Sequence, residues 1–310
     1  MIMHDLPSTL LRGELLRDAP LARHTTWRCG GRADRLYRPA DRADLATFVA
    51  TLSPTEPIIA IGLGSNLLVR DGGVRGTVIL MHPALDLLDV QGGLIHAGAG
   101  VASPKLARFA AMHSRAEAEF LAGVPGTVGG ALAMNAGCYG GETWRYVRTV
   151  EVLTRSGAFE TRSPDAYRIG YRSVQRADGT PPDGLFTAAW FDFPQGDGDA
   201  ARERIRTLLK RRIASQPLQL PNAGSVFRNP QGDHAARLIE ACGLKGFTIG
   251  GACVSDKHAN FIVNPDGRAS AADIERVIAH VRGTVHARTG VDLEPEVRVI
   301  GESGNEGRQQ

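Results

Sequence analysis

The stretch Leu121-Ala122-Gly123-Val124-Pro125-Gly126-Thr127-Val128-Gly129-Gly130-Ala131, followed by Met134-Asn135-Ala136-Gly137, decides how this chain is read. Glycines, one proline and small side chains leave its backbone bare. Such a segment packs poorly as core, but it lets the main chain approach a flat or extended ligand closely. A glycine-rich loop between helices is the plain alternative. A second bare turn lies upstream, in Ile61-Gly62-Leu63-Gly64-Ser65-Asn66-Leu67-Leu68-Val69. An apolar strand, Ile58 to Ile61, leads into it. The third glycine of GxGxxG is missing and no Gly-Lys-Ser/Thr follows, which excludes a dinucleotide fingerprint and a P-loop. What is left is a turn of backbone N–H groups suited to phosphate oxygens, or an ordinary tight turn.

The composition around these turns narrows the class. The chain has 310 residues, 37 of them glycine, with 43% hydrophobic and 22% charged residues. That length suits two domains, and the balance is ordinary for a globular protein. No apolar run approaches the ~20 residues of a membrane span. The start of the chain has no basic stretch followed by a long apolar one, so a cytoplasmic protein without a signal peptide is expected. A net charge of +3 argues against a dedicated nucleic-acid binder. Lysine occurs only at 105, 210, 245 and 257, so each lysine is more informative than any single arginine. Cys29, Cys138, Cys242 and Cys253 form no CxxC, and no HExxH occurs, so buried thiols and no metal site are expected.

Local patterns predict an α+β fold. Strands are expected at Ile58–Ile61, 77–81, 94–97, 185–193 and 293–300, and a hairpin at 151–162 around Ser156-Gly157. Ser103 is expected to cap a helix with Pro104 at its first position. Charged helices are expected at 200–214 and 233–242. Ser270 with Asp273 has the form of a capping box for a helix that stops at Gly290. Pro194, Gly196 and Gly198 mark a linker. The chain is therefore divided into residues 1–195, with subdivisions of about 1–55 and 56–195, a second unit at 196–301, and a flexible tail at 302–310.

Four further motifs carry chemistry. In Asn222-Ala223-Gly224-Ser225-Val226-Phe227-Arg228-Asn229-Pro230, Ser225 is either a reactive hydroxyl or a turn serine; no nucleophile elbow surrounds it. In Leu293-Glu294-Pro295-Glu296-Val297-Arg298, an extended backbone would put both carboxylates on one face; a charged strand edge is the alternative. Tyr167-Arg168-Ile169-Gly170-Tyr171-Arg172-Ser173 holds two Tyr-Arg pairs. Lys245 follows Cys242-Gly243-Leu244, and Arg211 and Arg212 end the helix at 200–214.

Together with Thr25-Thr26-Trp27-Arg28-Cys29-Gly30-Gly31, these motifs resemble, in order and over nearly the whole chain, the UDP-N-acetylenolpyruvoylglucosamine reductase family. That family belongs to the flavoproteins of the vanillyl-alcohol-oxidase/PCMH type. The resemblance implies a PCMH-type FAD-binding domain of two α/β subdomains at 1–195 and a substrate-binding α/β domain at 196–301. It implies bound FAD, held by Gly62, Gly64, Ser65, Asn66, Gly123, Pro125, Gly126, Thr127, Gly129, Gly130 and Asn135. It implies NADPH as co-substrate, a UDP-sugar substrate, and no nucleic-acid, membrane or obligatory protein partner. Ser225 matches the family's proton donor and Glu296 its catalytic glutamate. Arg172 matches the catalytic arginine, with Arg168 as the alternative. The family carries Tyr-Arg-x-Ser there; this chain has Tyr171-Arg172-Ser173, one residue shorter. Tyr171, Arg212, Asn229 and Lys245 match substrate-binding positions. The chain resembles the short form, because 193–224 has no room for the inserted segment whose tyrosine closes over substrate in longer members. Another PCMH-type oxidase or dehydrogenase, or a non-catalytic FAD-binding protein, remains the alternative.

Overall fold

The computed structural model describes residues 11–304, and it divides them into two compact units interleaved along the chain. One comprises residues up to Leu16, Leu36–Gly62 and Thr77–Lys210; the other comprises Arg17–Arg35, Leu63–Gly76 and Arg211 onward. Helices are α1 (Arg42–Thr51), α2 (Ser103–Met112), α3 (Val128–Met134), α4 (Gly198–Ser215), α5 (Ala235–Ala241) and α6 (Ala271–Thr289).

The first unit is built on a five-stranded antiparallel sheet. Its strand order is Phe159–Arg162, Val147–Leu153, Leu185–Phe191, Leu94–Gly98 and Leu88–Gln91. One face presents Val150, Val152, Ala189 and Phe191 to a core completed by Leu106 and Ala110 of α2, Val128 and Leu132 of α3, and Trp144. Ile58–Ile61 pairs in parallel with Thr77–Leu80. A short hairpin, Tyr167–Gly170 with Ser173–Arg176, packs on this core through Tyr167 and Val174. The expected serine cap of α2 is displaced: Ala102 takes the cap position. Ser103 stands inside the first turn, fully buried, and its hydroxyl has no partner.

The second unit is organised by α6. Ala271, Ile274, Val277, Ile278, Val281 and Val285 recur at three- and four-residue steps and are all buried, which is the stripe of a helix with one apolar face. The capping box at Ser270 and Asp273 forms, and Asp71 accepts from the N–H groups of Ala271 and Ala272 at 3.0 and 2.9 Å. Gly290 ends the helix in the left-handed region at φ +73°, where a glycine carries no side-chain penalty. The strand expected at 293–300 is shorter: only Arg298–Ile300 pairs regularly, parallel to Leu67–Val69. Pro295 has no N–H to give a ladder, so 294–297 runs as an isolated bridge to Phe227. Of the expected tail, Glu302 exchanges two 2.9 Å backbone hydrogen bonds with Gly72 and Gly73, and 305–310 lies outside the described residues. Among the described residues no helix is long and apolar enough to cross a membrane.

Trp27 fixes the centre of this unit. It is fully buried, its indole N–H donates to the Ile262 carbonyl at 2.8 Å, and its own carbonyl accepts from the Asn264 amide at 2.9 Å. Trp27→Phe keeps most of the apolar area but strands the Ile262 carbonyl. Its expected cost is about 1–3 kcal/mol, the penalty for a buried polar group left unpaired. Urea unfolding should show a lower midpoint with an unchanged slope.

Candidate active site

In the first unit Gly62, at the head of the upstream turn, meets the glycine-rich segment. Gly62 faces Thr127, and a Cβ on Gly62 would overlap the threonine side chain. Gly129 packs on Ala99, whose Cβ would sit 2.9 Å from any Cβ added there. These two glycines are thus required by the protein's own packing. Gly130 differs: it is exposed, and a Cβ there would meet nothing within 4 Å. Gly126 has φ +102°, and its carbonyl accepts from the N–H of Ser103, the residue with the orphaned hydroxyl. Gly123 packs against Cys138 and Tyr139, and Pro125 is exposed. Contrary to the expectation that this segment packs poorly as core, Leu121, Ala122, Val124, Val128 and Ala131 are buried in it; the exposed backbone at Pro125 and Gly130, near the unsatisfied Ser103 hydroxyl, is what fits a large ligand such as FAD.

Asn135 ends α3 in the left-handed region at φ +42° and is buried. Its side-chain amide is engaged within the protein, donating to Glu142 Oε2 at 2.9 Å and to the Gly170 carbonyl at 3.1 Å, while its oxygen accepts from the Trp144 N–H at 3.1 Å. Arg172 stands at the tip of the 167–176 hairpin. Gly170 pairs with Ser173, so Tyr171 and Arg172 form a two-residue turn. Arg172 has φ +53°, a conformation that normally selects glycine or asparagine. Its guanidinium donates to the carbonyls of Gly137 at 2.6 Å and Asn135 at 3.4 Å, and lies 5.0 Å from the centre of the exposed Tyr171 ring. Arg168 lies on the exposed side of the hairpin opposite Gln175.

In the second unit, Ser225 and Glu296 are carried by neighbouring segments. The N–H of Glu296 donates to the carbonyl of Val226, the residue after Ser225, at 2.7 Å, and the N–H of Arg228 donates to the Glu294 carbonyl at 2.9 Å. Both side chains are half-buried. Gly224, at φ +76°, lets the chain turn into Ser225, and its N–H is held by Asn222 Oδ1 at 2.9 Å. Glu294 is paired with Arg228 at 2.9 Å, which sets the two carboxylates of the Glu-Pro-Glu motif in different surroundings. Asn66 donates to the Glu296 carbonyl at 3.1 Å. Gly64, at φ +62°, lies against the His24 carbonyl, and Ser65 is half-buried beside it.

The remaining sequence candidates are found engaged with their own surroundings. Asn229 accepts from the Ala235 N–H at 3.1 Å at the start of α5. Lys245 pairs with Glu240 at 2.6 Å. Arg212 donates to Gln216 at 2.8 Å. Sequence reasoning gave no weight to Asn260. Its buried side chain holds both the N–H and the carbonyl of Phe227, at 2.9 and 2.8 Å, while its own carbonyl accepts from Val226. The only available signal was an amide set in the otherwise apolar run 259–263. Burial pushes the Cys29 thiol up to about 12, so it is a thiol and not a thiolate. Burial, aided by Lys245, holds His258 below its ordinary value.

Comparison with known proteins shows the family. Residues 33–162 match the family described as FAD binding domain, and residues 216–300 match the UDP-N-acetylenolpyruvoylglucosamine reductase C-terminal domain. The UDP-N-acetylenolpyruvoylglucosamine reductase of Thiobacillus denitrificans is 57% identical over 307 residues, covering 94% of each chain. That of Nitrosospira multiformis is 55% identical, covering 94% of this chain and 90% of its own. A crystal structure of the reductase from Thermus caldophilus is similar at a TM-score of 0.78 with 34% identity, covering 93% of this chain and 99% of that one. Fold and site thus define an FAD-dependent oxidoreductase of α+β architecture. More narrowly, the chain belongs to the UDP-N-acetylenolpyruvoylglucosamine reductase family.

Two outcomes test this geometry. Lysine keeps the charge of Arg172 but loses the fork that reaches two acceptors. Arg172→Lys should lower turnover by at least ~10²-fold, the scale of losing one oxyanion donor. Arg168→Lys should leave turnover within about twofold; the reverse pattern in steady-state assays would move the function to position 168. His258 provides a pH test. In the unfolded chain it binds a proton near pH ~6.5, whereas the fold keeps it neutral to lower pH. The unfolded state then holds more protons, so stability is full above that pH and declines as pH falls toward the depressed folded value. His258→Gln should flatten this decline in urea midpoints measured at pH 5 and 8.

Proposed function

We propose that this protein reduces UDP-N-acetylglucosamine enolpyruvate to UDP-N-acetylmuramate in the cytoplasm, as a step in peptidoglycan precursor synthesis, with NADPH as electron donor. The family membership supports the substrate. The observation that supports the residue roles is the hydrogen-bonded pairing of the 224–228 and 294–297 segments, which carries a hydroxyl and a carboxylate on neighbouring segments. In this reading residues 1–195 bind FAD and 196–301 bind substrate. The cofactor-binding set is Gly62, Gly64, Ser65, Asn66, Gly123, Pro125, Gly126, Thr127, Gly129 and Gly130; Asn135, which the resemblance matches to the cofactor, is left out because its amide is already taken up by Glu142, Gly170 and Trp144.

Bound FAD would supply the redox chemistry, hydride transfer from NADPH to C3 of the enolpyruvyl group. Negative charge then grows at C2 and spreads into the carboxylate. Arg172 is assigned to that carboxylate, because a planar fork of donors matches two oxygens and acts where the charge develops. Glu296 joins the same group through a shared proton. Ser225 gives its proton to C2 as general acid, completing addition of H⁻ and H⁺ across the double bond. Tyr171, Arg212, Asn229 and Lys245 are assigned to the UDP-sugar: Asn229 offers its amide NH2, and Lys245 and Arg212 offer positive charge to the diphosphate.

The half-reactions separate these roles. Ser225→Ala removes a proton donor that acts only after hydride has reached the substrate. Bleaching of the flavin absorbance by NADPH should stay within about twofold of wild type in stopped flow. Reoxidation by the enolpyruvyl substrate should slow by roughly 10²–10⁴-fold, the usual worth of general acid catalysis. Equal slowing of both phases would make Ser225 structural and overturn its assignment.

A further inference from the structure

The segment that ends α3 and the hairpin that carries Arg172 are joined at one side chain. Asn135 touches the hairpin twice: its amide NH2 donates to the carbonyl of Gly170, the residue before the two-residue tip, and its own carbonyl accepts from the Arg172 guanidinium. Its side-chain oxygen is held in turn by the Trp144 N–H, and its NH2 also meets Glu142 Oε2. Trp144 anchors the assembly from below. Its indole N–H donates to the Leu132 carbonyl at 2.8 Å, and its ring packs 5.0 Å from that of Tyr167 at the hairpin base. The second acceptor for Arg172, the Gly137 carbonyl, lies two residues beyond Asn135 in the same segment.

We propose that Asn135 is the positioning residue for Arg172, setting the hairpin tip and the guanidinium direction from the end of α3; this rests on the catalytic reading of Arg172. The residue type follows from three simultaneous demands. The position needs a left-handed backbone, a side-chain acceptor for Trp144 and a side-chain donor for Gly170. Glycine meets only the first. Aspartate meets the first two, cannot donate, and sets its charge beside Glu142. Only asparagine meets all three in so short a side chain. Its amide is thereby assigned to the protein's own backbone, not to the cofactor.

The test compares Asn135→Asp, Arg172→Lys and the double variant in the holoenzyme. Asn135→Asp should purify with a wild-type complement of FAD and be reduced by NADPH within about twofold of the normal rate. Reoxidation by the enolpyruvyl substrate should slow by about 10- to 100-fold. The double variant should be no slower than Arg172→Lys alone, because residues that act through one another are not additive. Asn135→Gly, which keeps the left-handed backbone and the carbonyl, should reproduce the same pattern and covers the case in which the aspartate variant fails to fold. Unchanged reoxidation in both Asn135 variants, with Arg172→Lys slow, would overturn the positioning role. Loss of FAD from both, or full additivity with Arg172→Lys, would overturn it as well. A fast Arg172→Lys enzyme would instead refute the underlying reading of Arg172, whatever the Asn135 variants do.

Discussion

Buried asparagine amides hold the irregular backbone around the segments that carry the candidate site. Main-chain N–H and C=O groups removed from water must find partners, and loops have no ladder to supply them. Asn260 supplies both for Phe227, in effect standing in as a strand partner beside Ser225. Asn264 does the same between the Trp27 carbonyl and the Ala269 N–H. Asn135 does so between Trp144 and Gly170. All three are at most 4% exposed, so each bond is made where its loss would leave a group that water cannot reach. An amide is suited to this because it donates and accepts from one planar group, as a peptide does.

Against that support, some positions are kept in conformations that packing alone would not choose. Arg172 and Asn135 both have positive φ, and neither is glycine. Asparagine tolerates the left-handed region; arginine at a turn tip gains nothing from it locally. The conformation aims the guanidinium back along the hairpin to the carbonyls of Asn135 and Gly137. The glycines divide along a similar line. Gly62 and Gly129 serve close packing within the first unit, whereas Gly130 leaves the backbone open outward.

Much of this was legible in the sequence where the signal is local. The strand at Ile58–Ile61, the capping box at Ser270 and the stop at Gly290 depend on neighbours within a few residues, and they appear as expected. The order of the motifs was equally local to read, and it carried the family resemblance. What differed has two origins: local boundaries that slide by a residue or break at a proline, and partners far along the chain. The cap expected at Ser103 fell to Ala102, and the strand expected at 293–300 shrank because Pro295 interrupts its ladder. The part played by Asn260 could not be read, since its partner Phe227 lies in another segment. Nor could sequence show that Gly129 answers to Ala99 or that the compact units interleave.

The proposed reaction is tested most sharply by the stoichiometry of a single anaerobic turnover. Purified protein, yellow with bound flavin, is bleached with one equivalent of NADPH and then mixed with UDP-N-acetylglucosamine enolpyruvate. The flavin colour should return as the substrate gains one hydride and one proton, giving a product of the mass of UDP-N-acetylmuramate in an amount equal to the NADPH consumed. Reduced flavin that stays bleached with the enolpyruvyl substrate, yet reoxidises when oxygen is admitted and leaves that substrate unchanged, would contradict it.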